Sequence, residues 1–507
     1  MSLDLALSIA RSGLAHVNKQ LAQSASNVAN AATPGYTRKE IEGAAATPGS
    51  LASGVRSLEA TRAVDTALVT QMNAARAAAD ASTARARLLS GVEIAHGATG
   101  DSIGDLTSAL GDAFVALRGD PSDALLQAGI TDAAAALAGR YNTVSAAILA
   151  ARQEAQDSMV RDVATLNEAL RQVSGITDQI LPLRAQGMST AELEDRRDQA
   201  IATISSIMQV RAVSQTDGNV VLITAGGLTL PLHQEPGPFS VEAATLGAQS
   251  FHGAGGTLPG VLLNGSDVSN RLGNGTLAAH AALRDKELPL AQAELDVAAA
   301  NLAARFDAQG LTLFTGDGGM VPNPASPYAT GGWVGFAASL RVNPALLSSP
   351  GLVRDGTHAV TGSATGPSAF TPNAPGGPAT FTTLIDRVLN QTFGAEASPG
   401  NAHPAFAASG LGPDGSLSSS LRTARSLGDH ATQLVAIQTA ARADAEEAGA
   451  ASGDLLTSLE TRFAERSGVD MDKELASMVT LQTAYAANAR LLSTVQTMYD
   501  TLFQAVR

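Results

Sequence analysis

Gly410-Leu411-Gly412-Pro413-Asp414-Gly415 spaces its glycines as dinucleotide-binding loops do, so it is the first place to look for cofactor chemistry. Such a loop works between a strand and a helix, whose amides then face a pyrophosphate. No strand pattern precedes it here, and Pro413 removes a donor from inside the loop. It reads instead as a Gly-rich connection ahead of a helix from Leu417. Glu192, Glu194, Asp195 and Asp198 gather on one stretch, and paired carboxylates can do acid–base work. Interleaved with Arg196 and Arg197, they read as a solvated or inter-subunit charged face. Asp470, Asp472 and Glu474 fall in the first turn of a helix, where the dipole favours acids. The eight histidines are scattered, and His16, beside Val17, reads as a packing or surface residue. There is no Walker loop, no His-Glu-x-x-His and no Ca²⁺ loop, and the absence of cysteine excludes thiol nucleophiles and disulfides. The expectation is a chain that is not an enzyme and that needs no cofactor and no metal. An embedded catalytic unit in 311–410 is the alternative.

The elements around these residues carry more information than the residues themselves. Leu3, Leu7, Ala10, Leu14, Val17, Leu21, Ser24 and Val28 recur at alternating steps of four and three, the a/d rhythm of a coiled coil. Met478, Leu481, Tyr485, Asn488, Leu492, Val495, Tyr499, Leu502 and Val506 repeat it at the other end. Asn488 is the one polar member of the second seam, a device that fixes register at some cost in stability. Two matched seams at opposite ends of a 507-residue chain point to assembly.

Between them, length alone implies several domains. Aromatics are only 4 %, so cores must be built from Ala, Leu, Val and Ile, which suits close-packed helices. A formal charge of −14 with no Lys/Arg cluster argues against nucleic acid, and no apolar run reaches membrane-spanning length. Asp4 and the missing basic n-region argue against a cleaved signal peptide.

Asp120-Pro121-Ser122-Asp123 reads as a helix start, with Asp120 as N-cap and Pro121 at N1. Threes and fours then continue to Pro182, a rod of about 90 Å at 1.5 Å per residue. The period switches to two in Val210–Val213 and Val220–Ile223, around Asp217-Gly218, which predicts hairpins. Gly310 to Gly415 is rich in Gly, Pro, Ser and Thr.

The reading is a mainly α fold. N- and C-terminal coiled-coil helices (1–45 with 468–507) form an assembly domain. A nested helical stem comprises 56–204, 274–309 and 416–467. Inserted β-rich, loop-heavy outer regions occupy 205–273 and 310–415.

Asn27-Val28-Ala29-Asn30 with Thr33-Pro34-Gly35-Tyr36 resembles the signature of bacterial flagellar rod, hook and hook-associated proteins. The usual form has Asn where this chain has Ser26. Gly468 through Ala489 resembles the C-terminal segment of the same group. The long Ala-rich stem, Phe114–Asp123 and Leu193–Asp198 narrow the resemblance to the flagellar hook-associated protein 1 (FlgK) family. That resemblance implies a structural subunit of the hook–filament junction, an extracellular ring that permits flagellin to polymerise. It further implies export by the flagellar apparatus, with self-association, the hook protein, the second hook-associated protein and an export chaperone as partners. A hook or rod protein and a flagellin-like filament subunit are the alternatives within the same class.

Overall fold

The computed structural model describes residues 3–46, 54–234, 237–422 and 424–505. Helices α1 (Leu3–Ala29), α2 (Thr66–Ala95), α3 (Ile103–Gly119), α4 (Ala124–Ala185) and α5 (Ala191–Ile207) fill the first half. Then come α6 (Thr276–Ala282), α7 (Leu288–Ala308) and four short helices, α8 (Phe336–Ser339), α9 (Pro344–Ser348), α10 (Leu352–Asp355) and α11 (Thr383–Arg387). Two long helices, α12 (Leu427–Ser467) and α13 (Met471–Ala505), close the chain.

Local chemistry sets the boundaries. Asp65 caps α2 by accepting from the amides of Ala67 and Leu68, and Ser102 and Asp105 form a reciprocal capping box on α3. The cap of α4 is Asp123, whose Oδ1 accepts from Leu125 at 2.7 Å and Leu126 at 3.3 Å; Asp120 belongs to the turn before it. Pro182 lies in the last turn of α4 and costs one amide donor without ending the helix, which reaches Ala185. Helix α12 starts ten residues later than its apolar spacing suggested. Ser426 caps it, and Leu417–Ser418 is a strand.

The nesting is visible in two antiparallel helix pairs. Helix α12 runs back along α2, with Arg466 bonded to Asp65, Arg76 to Glu460, Arg442 to Glu93 and His96 to Gln438 in order along the pair. Helix α13 runs back along α1. The middle of the chain is nested between the helices of this fold-back.

Two cores are strung along α4. The second holds Met159, Val163, Leu166, Leu170 and Val173 of α4 against Ile201 and Ile204 of α5 and a three-stranded meander. Its strands are Val210–Ser214, Val220–Thr224 and Thr229–Leu230, turning at Asp217-Gly218, as predicted, and again at Gly226-Gly227. The first core joins the ends of α2 and α12 to α3, the first half of α4, and α7.

The Gly310–Gly415 stretch differs from the outer β-rich region its composition suggested. It is loop-heavy, but its described strands are two or three residues long. Leu311, Leu313, Phe314, Phe336, Leu384, Ile385 and Val388 are buried in the first core. Phe306 of α7 sits 5.7 Å from Phe314 and 5.8 Å from Phe114, centroid to centroid. Gly and Pro set the backbone of this stretch, while its sparse apolar residues are the ones the helices need to finish their core.

Asp296 of α7 secures it. Its two oxygens accept from Tyr328 Oη and the Gly335 amide at 2.8 Å, and from the Ala337 amide and Gln292 Nε2 at 2.9 Å. Burial pushes this carboxyl up to about 6 even though all four donors oppose the shift.

Candidate functional site

The two terminal seams meet each other. Tyr499 donates to Asp4, the Asn488 side chain packs where Gly13 has no Cβ, and Ser24 donates to Glu474. Only Ala10, Val17 and Val495 are buried apolar residues of this pair. Leu3, Leu7, Leu14, Leu21 and Val28 are half-buried, as are Met478, Leu481, Asn488, Leu492 and Tyr499. Tyr485 remains 39 % exposed and Leu502 50 %, while Val506 lies outside the described residues. A two-helix pair covers one side of each helix only. Leu475, Val479, Leu491, Met498 and Phe503 of α13 face solvent besides.

A turn redirects the chain at the end of α1. Thr33-Pro34-Gly35-Tyr36 closes with the Tyr36 amide on the Thr33 carbonyl at 3.1 Å. Pro34 presets φ at the second position and Gly35 supplies the positive φ, +75°, at the third. A Cβ at Gly35 would run into the Gln199 side chain, which donates to the Pro34 carbonyl at 2.8 Å. Asn30 closes the helix with its Nδ2 on the Ser26 carbonyl, while Ala29 and Thr33 are exposed.

The turn brings the chain back onto Asn27, which is buried and fully used. Its Oδ1 accepts from Tyr36 Oη at 2.9 Å and from the Lys39 amide at 3.2 Å. Its Nδ2 donates to the Lys39 carbonyl at 2.9 Å and to Glu474 Oε1 at 3.3 Å. Glu474 also accepts from Arg38 Nε at 2.5 Å. The acid expected merely to complement the α13 dipole is therefore a buried meeting point of both chain ends.

On the other side of this segment lies α5. Thr37 Oγ1 donates to Asp195 Oδ1 at 2.6 Å and its amide to Oδ2 at 3.2 Å. Lys39 Nζ donates to Asp195 Oδ2 at 2.8 Å while lying 3.4 Å from the Tyr36 ring centroid. Arg62 reaches Glu194 at 2.9 Å, Asp195 at 3.1 Å and Asp198 at 2.6 Å. Burial alone would raise the Glu194 carboxyl, but hydrogen bonds from Thr190 and Arg62 and the Arg62 charge overcome it and hold it low. The same carboxylates raise Arg62 against the opposing effect of burial.

The acid-rich stretch is thus only partly solvated: Glu192 and Arg196 are exposed, whereas Asp195 is buried in a joint between the terminal pair and the stem. Asn27 and Tyr36 of the sequence motif take part in the joint, with Pro34 and Gly35 shaping it. Lys39, Arg62 and Arg38 were not marked by the sequence, and Glu474 was marked only for the helix dipole.

The remaining candidates disperse. Gly410, Gly412 and Gly415 all take positive φ and turn a hairpin between Ser409–Leu411 and Leu417–Ser418. His16 shares a hydrogen bond with Ser57 Oγ on a strand lying along α1. A cleft of about 500 Å³ beside the joint is lined by Arg62, Met72, Asn73, Asp80, Thr203 and Phe463. Among the described residues no group of three His, Asp or Glu side chains is placed to hold a metal ion, and no helix is long and apolar enough to cross a membrane.

Residues 89–320 match the model of the flagellar hook-associated protein FlgK helical domain, and residues 460–505 that of the flagellar basal body rod FlgEFG protein C-terminal segment. Flagellar hook-associated protein 1 of Escherichia coli (strain K12) is 23 % identical over 97 % of this chain and 98 % of its own length. Its namesake in Bacillus subtilis (strain 168) is 24 % identical over 44 % of this chain, a match spanning 46 % of that protein. The structure of the flagellar hook junction protein FlgK from Burkholderia pseudomallei aligns at 22 % identity with a TM-score of 0.39, over 50 % of this chain and 46 % of that one.

Proposed function

The chain belongs to the FlgK family of flagellar hook-associated proteins, and from that premise we propose that it forms the junction ring between hook and filament. It is a structural component of the flagellum. In the proposed role, copies associate through their terminal helix pairs, the hook protein lies on one side and the second hook-associated protein on the other. The chain reaches that extracellular position through the flagellar export apparatus, escorted by a chaperone.

One observation carries the reading. Helices α1 and α13 pair along their seams yet leave most seam residues half-exposed, with Leu491 at 57 % and Phe503 at 68 % beyond them. Apolar surface concentrated on an otherwise thin two-helix pair is surface that further helices cover. Neighbouring copies present the same helices. The joint at Asn27, Lys39, Asp195 and Glu474 then fixes the angle at which each stem leaves the ring.

The test uses exposed positions, so that the internal pair survives. Leu491→Asp with Met498→Asp is expected to leave the purified monomer folded and secreted. It is also expected to give hooks without filaments and to let flagellin escape into the medium. Gln496→Asp, at an exposed polar position of the same helix, serves as control and is expected to assemble. Normal filaments from the double variant would overturn the reading.

A further inference from the structure

Residues 396–422 lie across the first core as two small hairpins and a connecting loop. Glu396–Ser398 pairs with Asn401–Ala402, and Ser409–Leu411 with Leu417–Ser418. The segment contributes Phe406 and Leu411 to the core and then leads into α12. Its grip on the stem is a cluster of aromatic and basic groups. The Phe406 ring stacks on His430 of α12, with centroids 3.8 Å apart and planes 3° from parallel. Arg305 of α7 lies over the other part of this stack, its Cζ 4.8 Å from the Phe406 centroid. Arg305 Nη1 donates to the Arg425 carbonyl and Arg425 Nη1 to the His403 carbonyl, both at 2.7 Å. His403 Nε2 closes the set on the Gln391 carbonyl at 2.6 Å.

The chemistry of this cluster admits only neutral imidazoles. His430 is buried, and among the described residues neither of its ring nitrogens has a hydrogen-bond partner. Protonation would place two N–H donors there with nothing to receive them, beside the fixed guanidinium of Arg305. Charged groups facing His403 and His430 are Arg305 and Arg425. Of the nearby carboxylates, Glu294 is committed to Ser419 and Gln438, Glu396 accepts from the Gly400 amide, and Asp429 is exposed at the start of α12.

We infer that residues 396–422 form an acid-releasable strap, closed over the stem at neutral pH and let go when His403 and His430 take up protons. Burial and the charge of Arg305 hold both imidazoles down to about 4 in the closed form, against 6.5 for a free histidine. Opening therefore becomes easier as pH falls through about 6.5 towards 4. The strap opens before the stem because its strands are two or three residues long and few of its side chains are buried, whereas α4 and α7 are held along most of their length.

Hydrogen exchange of the full chain, corrected for intrinsic rates, tests this between about pH 7 and about pH 4.5. Protection of the amides of residues 400–430 is expected to fall about tenfold or more beyond any change in 160–207, the factor that one pKa unit carries. The double variant His430→Phe/His403→Gln keeps the stacked ring and a donor to the Gln391 carbonyl but cannot be protonated, and it is expected to stay closed. Strap protection that merely follows the rest of the stem would overturn the inference. So would a double variant that opens in acid as readily as the parent. Should that variant fail to fold, the imidazole proton resonances of the parent decide: titration of His403 and His430 near 6.5 overturns the strap, titration near 4 supports it.

Discussion

Lys39 and Asp195, 156 positions apart, form an ion pair of 2.8 Å with side chains only 2 % and 6 % exposed. Between them they bond the strand that follows the first turn to the acid-rich helix of the stem. Two charges withdrawn from water in this way stabilise the fold only while both are present. Asp195→Ala is expected to destabilise the chain by roughly 3–5 kcal/mol, because the Lys39 ammonium is left buried without its partner. Lys39→Met in the same background is expected to recover much of the loss. Urea unfolding of the two single variants and the double variant gives the coupling; simple additivity would show that the pair does not hold the joint.

Gly35 is held by its backbone and by the space it leaves. With φ at +75° and Gln199 lying where a Cβ would be, Gly35→Val meets both obstacles. A cost of about 1–3 kcal/mol is expected from the backbone alone. The loss is expected to be local, seen as faster exchange of the amides of Thr37 and Lys39 with the α4–α5 core unchanged.

Isolated protein is expected to exchange its end helices quickly. Ala10, Val17 and Val495 are the buried apolar residues of α1 and α13, too few to hold two helices of 27 and 35 residues tightly. Amides of α13 beyond Asn488 are expected to exchange well before those of α4. Equal protection in a dilute monomer would show that the pair is already complete.

Replacing residues 311–414 by a short flexible linker is expected to collapse the stem. Leu313, Phe314, Phe336, Leu384, Ile385 and Val388 are all fully buried, and each such side chain contributes about 1.5–3 kcal/mol by leaving water. The deletion is expected to lose near-ultraviolet dichroism and gain protease sensitivity in α3 and α7. Native-like behaviour would make the stretch an accessory.

Asp296 predicts a pH dependence of opposite sign to that of the strap. Folding raises its carboxyl from 3.8 to about 6, so its contribution is fully present below about 4 and is lost as pH rises through 6. Asp296→Asn removes this slope. It is also expected to lower stability by about 1–3 kcal/mol near neutrality, because an amide nitrogen would face two donors. Urea midpoints of parent and variant, measured from about pH 4 to about pH 7, isolate the effect. Taking the difference between the two proteins cancels the histidine titrations.

What the sequence determined is what repeats or acts within a few residues. The seams at Leu3–Val28 and Met478–Leu502, the length of α4 and the turn at Asp217-Gly218 are of this kind. Helical and strand periods and cap chemistry are properties of neighbouring residues. Tertiary structure alone decided that Asn27 shares Glu474 with Arg38, that Asp195 serves Lys39 and Thr37, and that α1 and α13 face each other in opposite directions. Those bonds join residues up to 447 positions apart, and nothing in local spacing records which buried donor meets which acceptor. The Gly310–Gly415 stretch shows the same limit from the other side. Its glycines and prolines describe its backbone, whereas the place of Phe314 or Leu384 depends on the gap that α3, α4 and α7 leave between them.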